Sequence, residues 1–274
     1  MNPSRLDDVR SSTGLGRVWS PVVDQHATWI ALNPIQGCPK ACSYCFLHER
    51  GQAAVRPEAL ASPDAAVELL LASEFYEPDR PVALYTWTDV MARPDSRAHM
   101  AFLLEVIARR RLTNPVVLIT KCHVPDDTIE MMRRIRDQGV RLVAYLSYSG
   151  LGADIERGIR RVAVVDNFPR LTQAGVPVVH YWRPSMPSSA TQDRMREVMD
   201  WASRFARCTI AAGLKVESAA LPRLAALWPG GRVSPWPPMH WKVSRALGQS
   251  EPGEPTSKCS CATDHPGHTA TRCG

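Results

Sequence analysis

The sequence predicts an α/β fold, a partial (β/α)6 TIM-type barrel with an irregular C-terminal extension. Three observations predict it. From Thr28 to Val216, short β-branched apolar runs alternate with stretches of helical period. The runs are nearly continuous in apolar residues, as strands are when helices cover the outer face of a parallel sheet. Six β-then-α units in series imply parallel strands joined by right-handed crossovers. A doubly wound sheet and an incomplete barrel both satisfy this alternation. Six units are too few to close an eight-stranded barrel, so a partial barrel is expected from about Trp19 to Ala220.

The strand candidates, in order, are TWIALNPI (28–35), PVALYTWTDV (81–90), PVVLITKC (115–122), RLVAYLSYS (141–149), PVVHYWRP (177–184) and CTIAAGLKV (208–216). Helices fill the gaps. SRAHMAFLLEVIARRR sets Met100, Leu103, Leu104 and Ile107 on one face. DDTIEMMRRIRDQG starts where Asp126 or Asp127 could cap it and ends at Gly139. TQDRMREVMDWASRFA carries Met195, Val198, Met199, Ala202 and Phe205 at core spacing. After about residue 228 the chain turns rich in Pro, Gly and Ser and shows no long periodic segment. The expected organisation is therefore an N-terminal segment (1–18), the barrel (19–227) and a Pro/Gly/Cys-rich extension (228–274).

Composition narrows the function. The chain of 274 residues is 45% hydrophobic and 22% charged, which suits one large or two small globular domains rather than a disordered chain. No apolar run approaches the roughly 20 residues that cross a bilayer. Met1 to Arg17 lacks the apolar segment of a secretory signal, so a soluble cytoplasmic protein is expected, with no membrane partner. In that reducing compartment, clustered cysteines bind metal more often than they form disulfides. The eight here fall as Cys38, Cys42 and Cys45, then Cys259, Cys261 and Cys273, with Cys122 and Cys208 apart. A formal charge of +6 suits an anionic substrate, and an arginine-rich solvated surface accounts for it better than a nucleic-acid footprint.

In either α/β architecture, ligands sit at the carboxyl ends of the strands. Gly37-Cys38-Pro39-Lys40-Ala41-Cys42-Ser43-Tyr44-Cys45-Phe46 directly follows the first strand. Three thiolates within eight residues can wrap one small metal centre, and thiolates are the usual ligands of iron–sulfur clusters. A [4Fe–4S] cube takes four ligands; this loop offers three and leaves one iron open. The alternative is a structural zinc with His48 as fourth ligand. Zinc sites usually pair cysteines as CxxC knuckles, which this spacing does not suit.

CxxxCxxC with an aromatic before its last cysteine, following the first strand of a βα repeat, resembles the radical S-adenosylmethionine (SAM) signature. Other strand ends bring the resemblance closer to the spore-photoproduct-lyase-like branch. They are Thr88-Asp89 with Arg93-Pro94-Asp95, Thr120-Lys121-Cys122, Ser147-Tyr148-Ser149 followed by Glu156, and Arg183-Pro184-Ser185-Met186-Pro187. The likeness runs from about Asn33 to Val216. TKC stands where the branch has TKS, Asp95 stands in place of a glutamate, and the spacing through Glu156 differs. The resemblance implies that the open iron is chelated by the amino and carboxylate groups of SAM. Reductive cleavage then yields a 5′-deoxyadenosyl radical that abstracts hydrogen from a substrate. It implies SAM contacts at Thr88 and Asp89, near the methionyl ammonium, and at Lys121, Ser147 and Arg183, for its carboxylate or ribose. It also implies an electron donor such as flavodoxin or ferredoxin.

Cys122, at a strand end, is a candidate hydrogen donor to a product radical, against the plainer role of a small core residue. Cys208 reads as structural. In the extension, Cys259, Cys261 and Cys273, with His265 and His268 nearby, can hold a second [4Fe–4S] cluster, zinc, or nothing. Three functions compete. A radical SAM enzyme acting on a small molecule such as a nucleoside or sugar comes first, because no extra domain to grip a macromolecule is expected from the sequence. The others are a nucleic-acid lesion lyase and a non-catalytic metal-binding module. Salt-sensitive DNA binding separates the first two, and absence of SAM cleavage marks the third.

Overall fold

The computed structural model describes residues 16–186, 189–216, 220–227, 234–236 and 240–242. In chain order the strands are β1 (Val23–Gln25), β2 (Ile30–Leu32), β3 (Ile35–Gln36), β4 (Ala41–Cys42), β5 (Glu58–Ala59), β6 (Val82–Leu84), β7 (Val116–Thr120), β8 (Leu142–Leu146), β9 (Glu156–Arg157), β10 (Val178–Ser185), β11 (Thr209–Gly213), β12 (Lys215–Val216), β13 (Ser234–Trp236) and β14 (His240–Lys242). The helices are α1 (Pro63–Leu71), α2 (Pro94–Arg109), α3 (Asp126–Asp137), α4 (Arg161–Gln173), α5 (Gln192–Ala202) and α6 (Leu221–Leu227).

The central sheet has seven strands in the order β1-β2-β6-β7-β8-β10-β11. From β2 to β11 every pairing is parallel and follows sequence order, with α1 to α5 in the five crossovers. These are the six expected strands. β1 adds an antiparallel edge on β2 that the alternation did not reveal, because three residues leave no periodicity. β1 and β11 are the two edges of the sheet, and barrel closure is not seen among the described residues. No helix among them is long and apolar enough to cross a membrane.

The strands are shorter than the apolar runs, for local reasons. β2 stops before Pro34, which has no N–H for the ladder, and Ile35 and Gln36 pair instead with β5. β6 stops at Leu84 because Tyr85 takes the left-handed φ of 58°. The run 208–216 splits at Leu214, and β12 joins β13 and β14 in a separate antiparallel sheet. The extension is therefore not wholly irregular. Helix α3 corrects a cap: Pro125 holds the N-cap position, and Asp126 and Asp127 lie inside the first turn. Gly139, at φ 96°, follows its end as expected. Thr191 caps α5 by accepting a hydrogen bond from the Arg194 N–H.

Side chains on β10 alternate between two faces. His180 faces the helices, where its ring lies among Phe168, Trp182 and Trp201. Its Nε2 donates to the Tyr148 carbonyl at 3.1 Å, and its Nδ1 accepts from the Thr209 hydroxyl at 3.2 Å. Burial lowers its pKa from 6.5 to about 4. Unfolding therefore takes up a proton between those values, so this contribution is intact above pH 6.5 and lost as pH falls towards 4. The thermal stability of the wild type should fall as pH drops across that interval, and His180→Gln should flatten the dependence. Equal slopes for the two proteins would contradict this account.

Candidate functional site

The cysteine loop hangs from the carboxyl ends of β2 and β3. It begins at Gly37, whose φ of 90° favours glycine; a Cβ there would also meet Val55 Cγ2 at 3.2 Å. Cys38 is held by backbone bonds to Gln52 and Val55. Cys42 lies in β4, paired directly opposite Glu156 in β9. Cys45 closes a turn through its N–H to the Cys42 carbonyl at 3.0 Å.

The three thiols are neighbours that feel one another electrostatically. Burial pushes Cys38 and Cys42 up to about 12, with the Asp89 charge adding to Cys38 and Lys121 partly offsetting it at Cys42. Burial raises Cys45 as well, against the N–H of Leu47 and the charge of Arg223. Cys42 is buried and Cys38 and Cys45 are half-buried, and three cysteine sulfurs in one loop form a donor set suited to a soft, positively charged centre. Among the described residues, no group of three His, Cys, Asp or Glu side chains forms a set for a single metal ion. His48, the candidate zinc ligand, has its Nε2 at 3.0 Å from the Cys42 carbonyl oxygen. By their chemistry three cysteines in one loop suit an iron–sulfur cluster.

Around the loop stand the ends of β6, β7, β8 and β10. The Asp89 carboxylate accepts from the Thr120 hydroxyl (2.7 Å), the Lys121 N–H (2.7 Å) and the Met91 N–H (3.2 Å). Its charge also bears on the Cys122 thiol, whose pKa is raised by burial first and by this charge second. Thr88, beside it, has a buried hydroxyl with no protein partner. Lys121 Nζ reaches Glu156 at 2.8 Å and donates to the carbonyls of Arg183 (2.9 Å) and Ser147 (3.1 Å). It lies 5.7 Å from the centre of the Tyr44 ring, and the Tyr44 hydroxyl donates to Glu156. The Ser147 hydroxyl donates to the Arg183 carbonyl at 3.2 Å. The Arg183 guanidinium is turned towards Tyr181, donating to its hydroxyl at 2.8 Å. That ring lies edge-on to Tyr145 of β8, on the face of the sheet away from His180.

The structure thus brings together Cys38, Cys42, Cys45, Asp89, Lys121 and Cys122, with Thr88 and Ser147 alongside. Cys259, Cys261 and Cys273 lie outside the described residues. Sequence reasoning gave no site role to Tyr44, Glu156, Glu49 or Arg223. Tyr44 was visible as the aromatic of the motif. Glu156 was visible only as part of the strand-end series, and Arg223 carries no local signal, since each meets the loop from more than a hundred residues away.

No family model and no curated protein matches the sequence. Solved structures do match the fold. Spore photoproduct lyase complexed with a dinucleoside spore photoproduct has a TM-score of 0.60 at 12% identity, over 89% of this chain and 73% of its own. A cysteine-to-alanine mutant of the same enzyme has 0.61 at 11% identity, over 81% and 70%. Streptococcus suis SuiB bound to S-adenosylmethionine is more distant, at 0.48 and 15% identity over 72% and 45%. At such identities the likeness to spore photoproduct lyase is one of fold.

Removing one member of a buried ion pair costs about 3–5 kcal/mol. Glu156→Gln leaves the Lys121 ammonium without its carboxylate and should destabilise the metal-free protein by that order, read from chemical denaturation. An unchanged midpoint would show that the pair does not hold the loop.

Proposed function

We propose that this chain is a radical SAM enzyme acting on a small-molecule substrate. The observation that carries the reading is the gathering of Cys38, Cys42 and Cys45 at the carboxyl edge of a parallel sheet, beside an unpartnered Thr88 hydroxyl. The three cysteines would hold a [4Fe–4S] cluster and leave one iron for SAM. When bound, this pair of cofactors supplies a carbon-centred radical by one-electron cleavage of the sulfonium.

The protein's part is to bind, orient and shield. Thr88 and Asp89 form the polar side that would receive the methionyl ammonium. Lys121 is a buried cation beside the loop; it would share its charge with the cofactor carboxylate, with Ser147 and Arg183 towards the ribose. Cys122 is the hydrogen donor in this reading. Burial and the Asp89 charge raise its pKa far above the usual thiol range, so the S–H bond a donor needs is kept intact. An electron donor such as flavodoxin or ferredoxin in the cytoplasm would reduce the cluster. The tail cysteines Cys259, Cys261 and Cys273 would hold a second cluster, or zinc; their spacing in the sequence is what supports this. A second reading, a nucleic-acid lesion lyase, is favoured by the fold shared with spore photoproduct lyase. Salt-sensitive binding of DNA to the purified protein would support it.

Anaerobically reconstituted wild type with dithionite and SAM should release 5′-deoxyadenosine. It should carry about eight irons if the tail holds a second cube, and about four if it does not. Replacing Cys38, Cys42 and Cys45 by Ala should abolish release, and undiminished release would refute the assignment. Such a variant that keeps one zinc and no iron would make the tail a zinc site. Cys122→Ala should lower turnover of the true substrate while sparing uncoupled SAM cleavage. A variant that turns over substrate at the wild-type rate would remove Cys122 from the chemistry.

A further inference from the structure

One side chain outside the seven-stranded sheet grips the cysteine loop. Arg223 of α6 directs its guanidinium at four acceptors. Nε and Nη2 form a fork on the Glu49 carboxylate at 2.8 and 3.0 Å. Nη1 donates to the carbonyl of Ser43, between two of the cysteines, and Nη2 reaches the Cys45 carbonyl at 3.3 Å. The Ser43 N–H is bound on its other side by the Ile155 carbonyl at 2.8 Å. Apolar packing supports the grip: Leu224 and Leu221 belong to a small cluster with Leu151, Ile155, Met186 and Tyr44. The segment between Cys42 and Cys45 is thus held by groups from two distant parts of the chain.

We infer that Arg223 is the positioning residue of the cluster loop, and that Glu49 aligns it and balances its charge. The inference rests on the cluster reading above. A guanidinium can serve the flat carboxylate and two carbonyls at once because its donors are fixed in a fork; an ammonium is a point charge without that geometry. Groups that orient ligands from behind are worth roughly 10- to 100-fold in metal affinity. They also set the potential through charge and hydrogen bonding. Reduction adds negative charge to the cluster, so a cation beside Cys45 favours the reduced form and an anion opposes it.

The test uses the full chain, reconstituted with iron and sulfide. Arg223→Gln should lose iron to a chelator roughly 10- to 100-fold faster than wild type, and its cluster potential should fall. Arg223→Lys should keep most of the potential while losing the protection. Glu49→Gln should raise the potential, because it leaves the cation unbalanced. Simple loosening of the loop would shift Arg223→Gln and Glu49→Gln in the same direction, and that outcome would overturn the inference. So would Arg223→Gln with wild-type iron loss and potential. Circular dichroism of each metal-free variant reports folding; if Arg223→Gln does not fold, the sign of the Glu49→Gln shift decides. Wild type that binds no iron defeats the cluster reading itself, whereas wild type that binds it with indifferent variants defeats only the role of Arg223.

Discussion

Lys121 carries its ammonium into a cage of oxygen atoms, and the arrangement of the site depends on that cage. Its partners come from the ends of β8 and β10 and from Glu156 in β9. Glu156 faces Cys42 across the short β4–β9 ladder. One cation therefore ties three neighbouring ends of the parallel sheet to the cysteine loop. An ammonium buried without acceptors would be costly, so the strand ends and the loop must meet it together. The Tyr44 ring beside it and the Tyr44 hydroxyl on Glu156 close the cage from the loop side.

A second constraint works from β6. Tyr85 adopts a positive φ, with its side chain buried and its hydroxyl on His99 of α2 at 2.9 Å. The chain turns there, and Asp89 arrives where it bonds the β7 end and its charge bears on Cys38. Asn33, at the end of β2, accepts from the N–H and hydroxyl of Thr86 on the same turn. The backbone of the turn is thus fixed from β2, α2 and β7. What it leaves free is the Thr88 hydroxyl.

The six parallel strands were legible because each is a run of apolar residues with a helical stretch behind it. The cysteine loop was legible because its three cysteines lie within eight residues. Strand lengths were overread: Pro34 and the backbone of Tyr85 end their strands, and neither interrupts the apolar pattern. The edge strand β1 and the ladder between β4 and β9 are two or three residues long and leave no period. The contacts that Glu156 and Arg223 make with the loop were illegible for a different reason. Their partners lie 112 and 174 residues away, and a lone charged residue in a polar stretch looks solvated until the fold brings its partner to it.

The central claim is that three cysteines hold a cube with one iron left for SAM. Mössbauer spectroscopy of protein reconstituted with isotopically enriched iron tests this most directly. The account predicts that adding SAM changes the signal of a single iron site of the Cys38–Cys42–Cys45 cluster and leaves the other sites as they were. A spectrum indifferent to SAM, or one without a cubane signal, would contradict it.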